Sequence, residues 1–392
     1  MTTARRLRFV CLAGLAGCGA GEPAAPLSPS PLGCENATGD PRLEYVYVVD
    51  TEGDSVTVIN PRACTVTATI DVAPEPRMAN ASASGRWVYV GSGGTEPTLS
   101  LIDTEENTVS RTVPLPFAPE VMIFDAAHVN LWIAHRATGQ VVVFDTIEKE
   151  LVADVPLEPG TQALSMTEGT PGWMMASNPA GGFVQVFDPF RLEEVARIDV
   201  GGEPLSVDYA SASARSYACV DGADPALLVI PSEGAAAHVV SKRIPLPSAC
   251  TEVRFDHGRY GVAVMPQVDQ AIIIDTATDR IAATLDVGDA PDTIGITGDR
   301  AVVANRGSGD ASVLDLEALT ELSRPTISDA VQGDAPRQLR GAMDRNFMYA
   351  VSPEDDTLVI LDLRDGTARG AVPTGALPGP VVVAGEAGGS CC

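Results

Sequence analysis

Residues 45–60 read YVYVVDTEGDSVTVIN. Tyr45 to Val49 are aromatic and β-branched, Asp50 to Asp54 are turn formers, and Ser55 to Asn60 alternate again, so the stretch encodes two antiparallel strands joined by a tight turn. The pattern returns at 87–103 (WVYVGSGGTEPTLSLID), 131–145 (LWIAHRATGQVVVFD), 173–188 (WMMASNPAGGFVQVFD), 217–231 (YACVDGADPALLVIP), 260–275 (YGVAVMPQVDQAIIID), 301–315 (AVVANRGSGDASVLD) and 348–362 (MYAVSPEDDTLVILD). Its closing residues, Asn60, Asp103, Asp145, Asp188, Pro231, Asp275, Asp315 and Asp362, stand 43, 42, 43, 43, 44, 40 and 47 residues apart. With a third strand and a Pro-containing link after each motif, this is the period of a four-stranded propeller blade. No amphipathic helical stretch competes with it.

Each unit is followed by a segment that reads as the innermost strand, A, of the next blade: PRMANAS, PEVMIFD, TQALSMT, PLSVDYA, TEVRFDH, PDTIGIT, PRQLRGA and PVVVAGE. The first unit has no such strand before it. The last segment must therefore return to complete it, which predicts an all-β, eight-bladed propeller closed by its C-terminal strand. A count of seven would require one unit to be irregular, and the fifth, ending on Pro231 instead of Asp, is the candidate. Period and motif resemble the YVTN-repeat propellers, including the YncE-like periplasmic proteins, from about Leu43 to Gly385, with Tyr47-Val48-Val49-Asp50 a loose form of the tetrapeptide. The resemblance implies the fold and leaves the function open.

Arg5, Arg6 and Arg8 precede the apolar run Phe9 to Leu15, and Leu15-Ala16-Gly17-Cys18 follows. A basic region, a short apolar core and small residues make an export signal. The Cys placed there resembles a bacterial lipobox, so Cys18 is the expected lipidation site and new first residue. The expected organisation is a signal peptide at 1–17, a Pro/Ala/Ser/Gly-rich linker at 18–42, the propeller at 43–387 and a Cys-containing tail at 388–392. The expected location is the cell envelope, the outer membrane in preference to the inner because Gly19 stands where an inner-membrane retention Asp would.

The net charge is −26, and losing residues 1–17 with their three arginines takes it to −29. Nucleic acid is excluded as a partner by that balance, and anionic lipid repels the body, leaving the acyl anchor as the expected membrane attachment of a monomer.

In a four-stranded meander the start of A, the end of B and the B–C turn lie at one mouth of the central channel, and the A–B and C–D turns at the other. Cys34, Cys64, Cys391 and Cys392 are expected to gather at the second mouth in two disulfides of open connectivity, and Cys219 with Cys250 to form a third at the first mouth. A Cys-ligated metal site lacks any Cys-x-x-Cys spacing. At the first-mouth rim the residues opening the A strands include Arg77, Glu120, Gln162, Glu252, Asp292 and Arg337, convergent polar groups suited to a small polar or zwitterionic ligand.

No His-Glu-x-x-His, Cys-x-x-Cys-His or Gly-x-Ser-x-Gly motif occurs. The leading expectation is thus a non-catalytic binding scaffold without cofactor, for an envelope protein, a glycan or a small polar ligand. One alternative is a lactonase or lyase using a divalent cation held at the channel mouth by Glu120, Glu252 and Asp292. Another is a modified-haem binder with His135 as axial ligand. Asp50, Glu52 and Asp54 also raise a Ca²⁺ loop, although a hairpin turn explains them equally.

Overall fold

The computed structural model describes residues 44–167, 172–234, 237–328, 339–341 and 345–385. They form eight four-stranded antiparallel sheets, here blades I to VIII. The A strands of blades II to VIII are Pro76–Ala81, Val121–Phe124, Ala163–Met166, Glu203–Ala210, Glu252–Phe255, Pro291–Thr297 and Leu339–Gly341. Each contacts the next A strand round the ring. Blade I consists of Glu44–Asp50, Ser55–Asn60 and Thr65–Asp71, completed by Pro378–Gly385 as its strand A. Val46 pairs with Val383, Tyr47 with Val382 and Val48 with Val381, so the C-terminal strand closes the ring as the repeat requires. The fifth unit is a complete blade despite Pro231, with a longer C–D connection to Lys242–Pro245. Among the described residues no helix is long and apolar enough to cross a membrane.

Alternation decides which neighbour each side chain meets. In blade I, Val46, Val48, Val381 and Val383 pack on Tyr349, Val351, Leu358 and Ile360 of blade VIII. Tyr47, Val49, Val382 and Ala384 point the other way, onto Ala81, Val88, Val90 and Ile102 of blade II. Because a blade is buried on both faces, its B and C strands read as almost unbroken apolar runs.

The repeated closing Asp is a turn device. Asp145 accepts hydrogen bonds from the backbone N–H groups of Ile147 and Glu148 at 2.8 and 2.9 Å, and Asp103, Asp188 and Asp315 do the same for the residues two and three places on. The C–D turns then end on left-handed residues, among them Cys64, Asn107, Lys149, Leu192, Asp279 and Leu319. At the first mouth, Asp54, Asp269 and Asp356 accept from the N–H groups of Glu75, Ala290 and Leu377, tying each B–C turn to the link entering the next blade.

These bonds account for the acidic run in the first B–C turn. Asp50 Oδ1 accepts from Gly375 N–H, and its Oδ2 accepts from the hydroxyls of Ser55 and Thr57 at 3.1 and 2.7 Å. Burial pushes its carboxyl above the usual range, with these donors opposing. The Ca²⁺ reading is therefore replaced by a hydrogen-bonded corner. In blade II, Ser92, Thr98 and Ser100 occupy the same pairing positions, and their hydroxyls have no partner among the described residues. Asp50→Ser, which copies blade II, is expected to lower stability by about 1–3 kcal/mol by taking the acceptor from the buried hydroxyls of Ser55 and Thr57, while Gly375 N–H keeps Thr57 Oγ1 at 3.2 Å; a urea melt of wild type and variant measures it.

Candidate functional site

The sheets place Arg77, Glu120, Gln162, Glu252 and Asp292 at the first mouth but do not draw them into one cluster. Arg77 is bound to Glu75 at 2.6 Å and lies across Gly93, where a Cβ would come within 2.5 Å of its Nε. Glu120 accepts from Arg136 N–H at 2.7 Å and has His135 Nε2 at 4.0 Å. Gln162 donates its backbone N–H to Ser177 within its own blade. Arg337 lies outside the described residues, as do Cys18, Cys34, Cys391 and Cys392. Cys64 is disulfide-bonded, with its partner also outside them. The Cys219–Cys250 bridge forms as expected, joining the end of strand B in blade V to the link entering blade VI.

Glu252 and Asp292, by contrast, stand on adjacent blades and interact. Glu252 Oε1 accepts from Arg254 Nε at 2.8 Å and Oε2 from Ile294 N–H at 2.9 Å. Arg254 in turn attracts Asp208 of blade V, whose carboxylate accepts from Phe255 N–H at 2.8 Å and from Ser165 Oγ at 3.2 Å. An innermost strand has one unpaired backbone edge facing the channel. Glu252, Asp208, Ser206 and Asp256 cover it by accepting N–H groups from the next A strand, those of Ile294, Phe255, Val253 and Gly298.

Arg254 is surrounded by the ring yet keeps 46 % of its side-chain surface accessible, as expected of a group on the wall of a wet channel. Burial pushes the Glu252 carboxyl up, opposed mainly by Arg254, and Asp292 pushes it the same way as burial. Burial also raises Asp208. The Glu252 charge raises Arg254, keeping the guanidinium protonated. One cation thus faces two carboxyl groups, Glu252 and Asp208, with Asp292 repelling the first of them.

Asp208 and Arg254 escaped the sequence reading because it followed only the residue opening each A strand. Side chains on one face of a strand recur every second residue, so Glu252, Arg254 and Asp256 share a face that runs from the first mouth to the second. At the second mouth that face meets a cavity of about 560 Å³ lined by Asp256, His257, Arg259, Tyr260, Glu317 and Arg345, among others. The expected ligand rim was the first mouth; this cavity opens at the opposite end.

The three carboxylates proposed as metal ligands do not assemble: Glu120 is on blade III, Glu252 on VI and Asp292 on VII. Among the described residues no three His, Cys, Asp or Glu side chains group to hold a metal ion. His135, the candidate haem ligand, ends strand B of blade III with Nδ1 2.9 Å from Thr138 Oγ1 in the adjoining turn and its ring 5.9 Å from Phe117.

No protein-family model and no curated protein matches the chain. Solved structures do. Apo AztD from Citrobacter koseri is 14 % identical with a TM-score of 0.67, over 90 % of this chain and 100 % of that one. Dihydro-heme d1 dehydrogenase NirN, solved in complex with DHE, is 14 % identical with a TM-score of 0.70, over 92 % and 77 %. Hydrazine synthase of Kuenenia stuttgartiensis is 16 % identical with a TM-score of 0.58, over 73 % and 95 %. At such identities the likeness concerns architecture alone, and the chain stands as an eight-bladed β-propeller of four-stranded blades.

Proposed function

We propose that this chain is a lipid-anchored propeller of the bacterial cell envelope that binds, without transforming, a small polar ligand bearing an ammonium group. The observation that carries the reading is the channel wall of blades V to VII, where Arg254, already bonded to Glu252, also attracts Asp208, and Asp292 adds a further negative charge beside Glu252. Three carboxyl groups against one guanidinium leave excess negative potential in a confined channel, and raised carboxyls are those whose charge the surroundings oppose. An ammonium group relieves both, and a zwitterion's carboxylate has the open face of Arg254. The anchor at Cys18 and the outer-membrane location rest on Leu15-Ala16-Gly17-Cys18 followed by Gly19.

Calorimetric titration with amines, free amino acids and simple carboxylates tests the reading. Amines or amino acids are expected to bind, carboxylates not, and Glu252→Gln, which keeps an acceptor for Ile294 N–H, to weaken binding about tenfold. Equal binding by the variant, preference for carboxylates, or chemical change of the bound compound seen by NMR would refute it.

A further inference from the structure

The exposed apolar side chains of the described residues are unevenly distributed. The three most exposed, Ile147 at 69 %, Phe190 at 68 % and Val239 at 58 %, lie in the C–D connections of blades III, IV and V. Those connections all face the second mouth, on neighbouring blades. Val152 and Val195, also exposed, continue the patch along the D strands of blades III and IV.

The repeat supplies its own control. Ile147 and Phe190 each stand two residues after the closing Asp, where the other short turns carry Arg62, Glu105, Ala277, Glu317 and Arg364. The N–H groups of Ile147 and Phe190 bind Asp145 and Asp188 as the turn requires, so the side chain is free to vary. Blades III and IV therefore carry large apolar groups that turn geometry does not demand. Arg191 beside Phe190 is three-quarters exposed, whereas the nearby Lys149 lies over the Trp87 ring at 3.5 Å and Lys242 donates to Asp279 O at 2.6 Å.

We infer that this corner of the second mouth rests on the bilayer surface, with Ile147, Phe190 and Val239 inserted at headgroup depth. The inference builds on the proposed anchor at Cys18. Strand B of blade I begins at Glu44 at this same mouth, so the preceding linker enters there. From Cys18 to Arg42 is 25 residues. By composition, 25 Pro/Ala/Ser/Gly-rich residues span about 25–30 Å as a coil and about 78 Å as extended polyproline II, a tether that joins this mouth, and not the first, to the anchor. Three inserted side chains bind weakly alone. Beside an acyl anchor their effective concentration is high, and they set the tilt of the body instead of supplying the attachment. The acidic body favours a zwitterionic surface over an anionic one.

The test uses the acylated mature protein on phosphatidylethanolamine–phosphatidylcholine vesicles, with the unacylated Cys18→Ser chain in solution as reference. Amide exchange at 146–149, 189–192 and 237–240 is expected to slow about threefold or more on vesicles, while the C–D turns at 316–319 and 363–366 stay unchanged. An Ile147→Ser, Phe190→Ser double variant should lose that protection and remain bound. Equal exchange in all the turns overturns the inference, as does concentration-dependent slowing of the Cys18→Ser chain in solution, which would assign the patch to self-association. Failure of the anchor reading registers separately, as membrane-fraction protein whose intact mass carries no acyl group. Vesicle flotation of the unacylated chain then decides the patch: flotation lost in the double variant upholds it, and no flotation overturns it.

Discussion

Val383→Asp is expected to unfold the ring, with a loss of about 4–5 kcal/mol or more in a urea or thermal melt. Val383 is fully buried, pairs with Val46 across the closing seam and packs on blade VIII. Removing its apolar burial forfeits about 1.5–3 kcal/mol. Burying a carboxyl among Tyr349, Val351 and Leu358 with no donor adds a penalty of the same order. Against a typical total of about 5–15 kcal/mol this takes much of the margin. Val66→Asp, on the exposed face of the outer strand of the same blade, is the control and should stay within about 0.5 kcal/mol of wild type. Equal effects at the two positions would mean that the seam is not part of the cooperative core.

Removing the Cys219–Cys250 bridge has the next largest expected effect. The two cysteines are 31 residues apart in sequence and both are fully buried. Constraining a loop of that length in the unfolded chain is worth about 3–4 kcal/mol on the loop-closure model. Cys219→Ala with Cys250→Ala should lower the urea midpoint accordingly, with unchanged far-ultraviolet circular dichroism at low denaturant. Unchanged stability would show that the link into blade VI is already fixed without the bridge.

The ring was legible because a propeller is a local rule repeated. Alternation sets the strands, the closing Asp caps the C–D turn through its own side chain, and the surplus strand at Pro378–Gly385 has only one vacancy to fill. Pro231 did not break the fifth blade because it ends strand C, where a longer connection takes over from the Asp-capped turn.

The candidate site was less legible, for reasons of geometry. Glu252 opens its A strand, and Arg77, Glu120, Gln162 and Asp292 stand within one residue of the start of theirs, yet Arg77 and Glu120 are held by their own blades through Glu75 and the Arg136 N–H. What Glu252 meets depends on how far adjacent A strands are staggered, since its partners are Arg254 on the same strand and the Ile294 N–H on the next. The period of two predicts the first contact, while the stagger is a property of the closed ring. The apolar tips at Ile147 and Phe190 stand out only when the eight turns are aligned on their closing residue.

Closure of the ring by its C-terminal strand is tested most directly by residue-resolved native-state hydrogen exchange of strand B in blade I. Glu44–Asp50 lies between Ser55–Asn60 and Pro378–Gly385, so its amides bond alternately to the two. In a closed ring both sets of amides exchange only with global unfolding, together with Val381 to Ala384. If the set facing Val381 to Val383 exchanges at the rate of an open sheet edge while the other set stays protected, the ring is not closed by its C-terminal strand.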